Sequence, residues 1–174
     1  MENITFSSIN ELQTLLNKEK FKKIVVICGN NSFKSSGAEK FIKNFLSNKN
    51  YEFYFKKSAY PDLIELEQII KFLKNSLPEL IIAIGGGSVL DYAKIANVLF
   101  DSQNLQEEIS GSTYKIKKKF AKLIAIPTTA GSGAEVTTNA VIYINKIKYS
   151  VEGEKLRPDF FFLIPSLVIG ASNK

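Results

Sequence analysis

Residues 85–91 read Gly-Gly-Gly-Ser-Val-Leu-Asp, directly after the apolar run Leu80–Ile84 and before an amphipathic stretch that ends at Phe100. Gly85, Gly86 and Gly87 lack a Cβ, so the backbone can turn sharply and a ligand can approach it closely. Ser88 stands where the N-cap of a following helix belongs, and Asp91 stands three residues on, where a capping-box acid belongs. The free N–H groups of a first helical turn, with the positive end of the helix dipole, attract a phosphate. A purely structural strand–helix turn needs one glycine, and three favour the phosphate. The spacing is neither the GxGxxG of the dinucleotide fingerprint nor the GxxxxGK[ST] of the P-loop. A second group of hydroxyls lies in Ala125–Thr137, which reads AIPTTAGSGAEVT. Thr128, Thr129 and Ser132 sit on a loop kept slim by Ala130, Gly131, Gly133 and Ala134. Such a loop can lie along a flat ring or a sugar, or it can be a turn-rich connection; residue types alone do not decide. Glu135 reads as a base or as the acid of a first helical turn.

Other chemistry is narrowed by composition. The chain has no histidine, hence neither the commonest general base nor the commonest metal ligand. No Cys cluster or acidic cluster has metal-ligand spacing, so no metal ligand and no catalytic side chain is assigned. The single Cys28 lies in the apolar run IVVIC, reads as a buried structural thiol, and fits a reducing compartment. The net charge is +6, yet of 23 basic residues only Arg157 is arginine. Base readout leans on arginine forks, so this is not the balance of a sequence-reading nucleic-acid binder. The densest basic run, Lys115–Lys119, reads as a solvated edge. No stretch of 18 apolar residues suggests a membrane span, and the N-terminus has no secretory pattern. A cytoplasmic protein is the expectation.

The elements that must position these groups follow from periodicity. Ile24–Cys28, Tyr51–Phe55, Leu80–Ile84 and Leu123–Ile126 read as strands. Helical spacing appears around Leu12 and Leu16, from Ala38 to Leu46, from Leu63 to Leu73 behind Pro61-Asp62, and from Val89 to Phe100. Strands alternating with helices predict an α/β fold: a Rossmann-like, mostly parallel sheet flanked by helices. Ala140–Ile144 and Lys148–Val151, around Asn145-Lys146-Ile147, predict a C-terminal β-hairpin extension. Phe160–Ile164 can pair with that hairpin or return to the sheet. Ligands of such sheets sit beyond the carboxyl ends of the strands. Gly29, Gly85 and Thr128 all stand there, each after a different strand, which makes one nucleotide-sized site credible.

Together the two motifs resemble the iron-containing alcohol dehydrogenase family, related more distantly to glycerol dehydrogenase and dehydroquinate synthase. That family carries GGGS-x-x-D-x-x-K followed by PTTAGTGSEVT. Here these stand as Gly85–Ser88, Asp91 and Lys94, then Pro127–Thr137, with Ser132 and Ala134 replacing a Thr and a Ser. The resemblance covers essentially the whole chain. It implies that Gly86, Gly87 and Ser88 meet a cofactor pyrophosphate, and that Thr128, Thr129 and Ser132 lie near the nicotinamide and its ribose. It also places Asn139 and Lys148 at cofactor-contacting positions. The first turn, Gly29-Asn30-Asn31-Ser32, lacks the Asp that NAD-preferring members tend to carry, and with nearby Lys34 it implies NADP, with NAD as the alternative. Tyr60-Pro61 stands where the family often has Asn-Pro.

The resemblance further implies that residues 1–174 form a single dinucleotide-binding domain, without the helical domain whose Asp and His residues hold the family's iron or zinc. The expected function is the cofactor-binding half of an alcohol dehydrogenase or aldehyde reductase, catalytically incomplete by itself. A non-catalytic NADP-responsive module that docks on a partner protein is the alternative. The run Phe160–Ile169 is apolar enough to predict an exposed patch, for self-association or for a helical partner.

Overall fold

Runs of β-branched residues with no polar face demand a strand covered on both sides, and three such runs form the centre of the molecule. A computed structural model describes residues 4–6 and 9–169. The strands are β1 (Ile4–Phe6), β2 (Ile24–Cys28), β3 (Tyr51–Phe55), β4 (Leu80–Gly85), β5 (Lys122–Pro127), β6 (Asn139–Ile144), β7 (Ile147–Glu152) and β8 (Phe160–Phe162). The helices are α1 (Ile9–Glu19), α2 (Asn31–Ser35), α3 (Ala38–Phe45), α4 (Leu63–Ser76), α5 (Gly87–Val98), α6 (Leu105–Ser110) and α7 (Pro165–Ile169). A single 3₁₀ turn, Glu154–Leu156, lies between β7 and β8.

Six strands form one parallel sheet in the order β1-β8-β5-β4-β2-β3. Alternation along each strand builds two cores. Val25, Ile27, Ile81, Ala83, Leu123 and Ala125 join Leu66, Ile69, Leu73, Tyr92 and Ile95 of α4 and α5. Ile24, Val26, Cys28, Leu80, Ile82, Ile84, Ile124 and Ile126 join Leu12, Leu16 and Ile42 of α1 and α3. The sheet is therefore covered on both faces, as the alternating pattern predicts.

β6 and β7 form the antiparallel hairpin. Its turn is Asn145-Lys146 alone, with φ of 51° and 68°; Ile147 already pairs with Ile144. Two left-handed residues suit the twist of a two-residue hairpin, and Asn tolerates that conformation. The hairpin precedes β8 in the chain and packs on α5 through Ala140, Ile142 and Val151.

Among the described side chains, the exposed patch expected over Phe160–Ile169 does not form. Phe160–Phe162 returns to the sheet and is inserted between β1 and β5. Phe161, Phe162, Ile164 and Leu167 are buried, and Leu163 is the large apolar side chain left exposed. The run is apolar because it is an interior strand. β1, α2, α6 and α7 were not anticipated; Asn31-Ser32, read as the end of a turn, opens α2. At three to six residues they are too short to show a period, although Asn104 three before Glu107 is a helix-start signal: its side chain accepts the Glu107 N–H at 3.3 Å. Among the described residues no helix is long and apolar enough to cross a membrane.

Candidate functional site

The register of the sheet brings the glycine and threonine motifs to one level. Ile84 pairs with Cys28 on one side and Ile126 on the other, and Gly85 pairs with Pro127. Gly29, Gly86 and Thr128 thus leave the sheet side by side at its carboxyl edge, where parallel α/β sheets bind ligands.

Only Gly86 separates β4 from α5. It is the helix N-cap, with φ −75° and ψ 178°, and it offers no side-chain cap. Ser88 is therefore the second helical residue rather than the N-cap. Asp91 lies a turn further in and is not a capping-box acid; its carboxylate accepts the N–H of Val141 in the hairpin. The glycines serve space rather than unusual dihedrals. A Cβ on Gly85 would stand 2.7 Å from Val89 Cγ2, one on Gly86 3.3 Å from Thr129 Oγ1, and one on Gly87 3.1 Å from Ser132 Oγ. The hydroxyl loop lies directly over the glycine turn, so the two motifs build one cradle. At its mouth are the N–H groups of Gly87 and Ser88, which no intrahelical carbonyl can satisfy.

The Thr128 N–H donates to the Gly85 carbonyl at 3.0 Å. Its side chain is 2% exposed, and its Oγ1 has no hydrogen-bond partner. Thr129 and Ser132 are exposed, and Gly131 and Gly133 take φ of +119° and +61° with open space around them. Glu135 sits in a turn, half-buried, and opens no helix.

Lys94 is the deepest charge, 1% exposed. Its ammonium donates to the Ala134 carbonyl at 3.0 Å, Thr137 Oγ1 at 2.9 Å and the Asn139 carbonyl at 2.5 Å. Burial pushes its pKa down to about 8, while Asp91 and Glu135 pull the other way. Burial likewise pushes the Asp91 carboxyl up to about 6, against the Val141 N–H and the charges of Lys94 and Lys148. Lys148 is exposed on β7, and Asn139 starts β6 with its side chain exposed. Both lie on the hairpin that borders Asp91.

Neighbouring anchors escaped the sequence reading. Glu65, 3% exposed, accepts the N–H groups of Lys57 and Ser58 at 2.5 and 2.7 Å. The Tyr92 hydroxyl accepts the Asp62 N–H at 2.7 Å and donates to the Tyr60 carbonyl at 3.3 Å. These bonds hold the loop between β3 and α4, and the Tyr60 ring meets Tyr143 of the hairpin edge-on at 5.2 Å. For Lys94, which the motif already named, the sequence also held a sign of burial: in VLDYAKIANV it is a lone cation on a helix apolar nearly all round.

The first turn differs. Gly29 is buried, Asn31 opens α2 and is exposed, and Lys34 is exposed. Ser32 lies in α2, and its side chain is outside the described residues. No acid occurs from Gly29 to Gly37. Cys28 is buried, and desolvation pushes its thiol up to about 12, which makes it inert as a nucleophile.

Residues 3–165 match the model of the iron-containing alcohol dehydrogenases. The chain belongs to that family. It is 37% identical over 115 residues to an alcohol dehydrogenase of Thermococcus barophilus, covering 63% of this chain and 30% of that protein. It superimposes on the NADH-dependent butanol dehydrogenase A of Thermotoga maritima with a TM-score of 0.86 at 22% identity, over 98% of this chain and 44% of that one. The sulfoacetaldehyde reductase of Bifidobacterium kashiwanohense in complex with NAD+ gives a TM-score of 0.83 at 22% identity, over 96% and 45%. The chain thus spans less than half the length of these relatives. The family's iron finds no donor set in it: the sequence has no histidine, and among the described residues no three Cys, Asp or Glu side chains converge.

Proposed function

We propose that this chain is the nicotinamide-dinucleotide-binding part of an iron-type alcohol dehydrogenase or aldehyde reductase, and that it prefers NADP(H) to NAD(H). The observation that carries the reading is the buried, unpartnered Thr128 hydroxyl beside a glycine cradle. A buried hydroxyl without a partner costs about 1–3 kcal/mol, and a bound ligand that hydrogen-bonds to it removes that cost. The cradle suits a diphosphate: Gly86 and Gly87 admit it, and the N–H groups of Gly87 and Ser88 face it from the positive end of α5. Thr129 and Ser132 stand over the turn, with Asp91, Asn139 and Lys148 on the side of the hairpin. A nicotinamide cofactor bound there supplies the hydride. The chain's own residues hold the cofactor and exclude water from the buried side of the turn. The described residues of this chain do not provide a set of metal ligands.

The preference for NADP(H) rests on the first turn. The stretch Gly29-Asn30-Asn31-Ser32 carries no acid in its sequence, and exposed Asn31 and Lys34 stand where an acid would repel a 2′-phosphate. A charge-assisted contact of that kind is worth about 1.5–3 kcal/mol, or roughly tenfold or more in affinity at 1.4 kcal/mol per decade. Calorimetric titration with both cofactors tests it. The expected result is NADP(H) at least tenfold tighter; equal affinities would remove the preference, and no binding of either would remove the function.

A further inference from the structure

The loop over the cradle has little to fix it from within. Between Thr128 and Ala134 it is built of small residues, two of them glycines with positive φ and no atom within 4 Å of a would-be Cβ. Its far end is held instead by one side chain. All three protons of the Lys94 ammonium are used, on Ala134, Thr137 and Asn139, so none remains for a ligand. These acceptors span the joint between the loop and β6. One turn earlier on the same helix, Asp91 takes the Val141 N–H. At its near end the loop rests on Gly86 and Gly87 through Thr129 and Ser132. Helix α5 therefore carries both the phosphate-facing turn at its start and the clasp for the covering loop in its middle.

We propose that Lys94 is a positioning residue for the dinucleotide: without touching it, the buried ammonium fixes Thr129, Ser132 and the first strand of the hairpin at the distance from the glycine turn that the bound molecule requires. This rests on reading the glycine turn as the diphosphate site. Its consequence is a split between ligands. ADP, which carries the diphosphate without the second nucleoside, needs the turn; a whole dinucleotide needs the turn and the fixed loop.

The test is calorimetry of the chain and of Lys94→Met with ADP and with NADP(H), alongside amide hydrogen exchange. Lys94→Met is expected to weaken the dinucleotide at least tenfold, to change ADP by less than twofold, and to speed exchange from Ala134 to Val141. Wild-type dinucleotide affinity in Lys94→Met overturns the proposal, as does an equal loss for ADP, which would make Lys94 a general structural residue. Should Lys94→Met fail to fold, Thr137→Val removes one acceptor and keeps the charge. Several-fold weaker dinucleotide with unchanged ADP then supports the clasp, and unchanged dinucleotide overturns it. The pH profile adds an independent readout. Asp91 and Glu135 are the acids that act on Lys94, and Lys148 acts on Asp91. Dinucleotide affinity of the wild type should fall as pH rises through about 8, where Lys94 loses its proton, while ADP affinity stays level; a level dinucleotide profile counts against the clasp. A wild-type chain that binds neither ligand defeats the reading of the glycine turn itself, which the two-ligand design separates from failure of the clasp.

Discussion

Two strand–helix turns leave adjacent strands of the same sheet edge, and they are built in opposite ways. After β4 the chain passes through one extended glycine into a 12-residue helix whose residues from Val89 to Val98 are buried, Asp91 excepted. A long, buried helix keeps its terminal N–H groups and dipole in fixed positions, and the slim loop from β5 closes over them. After β2 the chain enters the five-residue α2, which gives way to Gly37 at φ 81° before α3 begins. Its outward groups, Asn31 and Lys34, are exposed. The turn after β4 presents backbone N–H groups that can hold a charge without any side chain. The turn after β2 offers exposed side chains, and on the proposed reading it selects between ligands. On the proposed reading, affinity and cofactor preference come from different turns, even where the topology repeats.

The sharpest way to break this contrast is Gly86→Val. Its Cβ would begin 3.3 Å from Thr129 Oγ1, and its two methyls would fill the cradle. Binding of both dinucleotides should be lost beyond detection in calorimetry, with the fold retained by circular dichroism. Persisting affinity would locate the ligand elsewhere on the sheet edge. Asn31→Asp, at the other turn, should act on one cofactor only. NADP(H) affinity should drop by roughly tenfold, since a carboxylate replaces a neutral group beside a phosphate, while NAD(H) affinity holds or rises. A parallel loss for both would erase the division of labour.

Thr128→Val sharpens the comparison from the side of stability. Removing a buried hydroxyl without a partner should raise the chemical-denaturation stability of the ligand-free chain by about 1 kcal/mol. The same change should weaken the dinucleotide about three- to tenfold, the worth of one neutral hydrogen bond. A loss of stability would show that the hydroxyl has a protein partner in solution. The last effect concerns Asp91. Its folded-state pKa, about 6 against an ordinary 3.8, means that between those values the folded chain binds the proton more tightly than the unfolded chain. Stability contributed by this group is therefore present at low pH and declines as pH rises towards 6. Asp91→Asn, which removes the titration, should raise Tm at pH 7 relative to wild type more than at pH 4.5. An equal difference at both pH values would mean that the carboxyl is better solvated than its burial suggests.

Much of this was legible before any coordinate. Ile24–Cys28 and Tyr51–Phe55 are strands with the boundaries their composition indicated: the first is covered on both faces, which admits only apolar residues, and the second is a half-buried edge strand rich in aromatic residues. Asp62 caps α4 as Pro61-Asp62 implied, with its side chain accepting the Glu65 N–H at 2.8 Å. The capping roles of Ser88 and Asp91 were misjudged by a shift in the helix start. The third glycine of the run already lies in the helix, so the N-cap falls on Gly86 and Asp91 is free to reach Val141. The run Phe160–Ile169 was misjudged for a different reason. An apolar segment looks the same whether it seeks a partner or fills the middle of a sheet, and only the insertion of β8 between β1 and β5 distinguishes them.

By itself, the sequence determined the alternation of strand and helix, the place of the three turns, and the family, because these depend on local periodicity and on residue spacing along the chain. The tertiary structure alone decided which turns share a level, that Thr129 and Ser132 lie on Gly86 and Gly87, and that a lysine in the middle of a helix holds a loop 40 residues later. It also made Glu65 and Tyr92 anchors of the loop between β3 and α4. Register and packing set these contacts: a buried charge must find its acceptors wherever the fold brings backbone carbonyls within reach, and no spacing in the sequence announces which ones they will be.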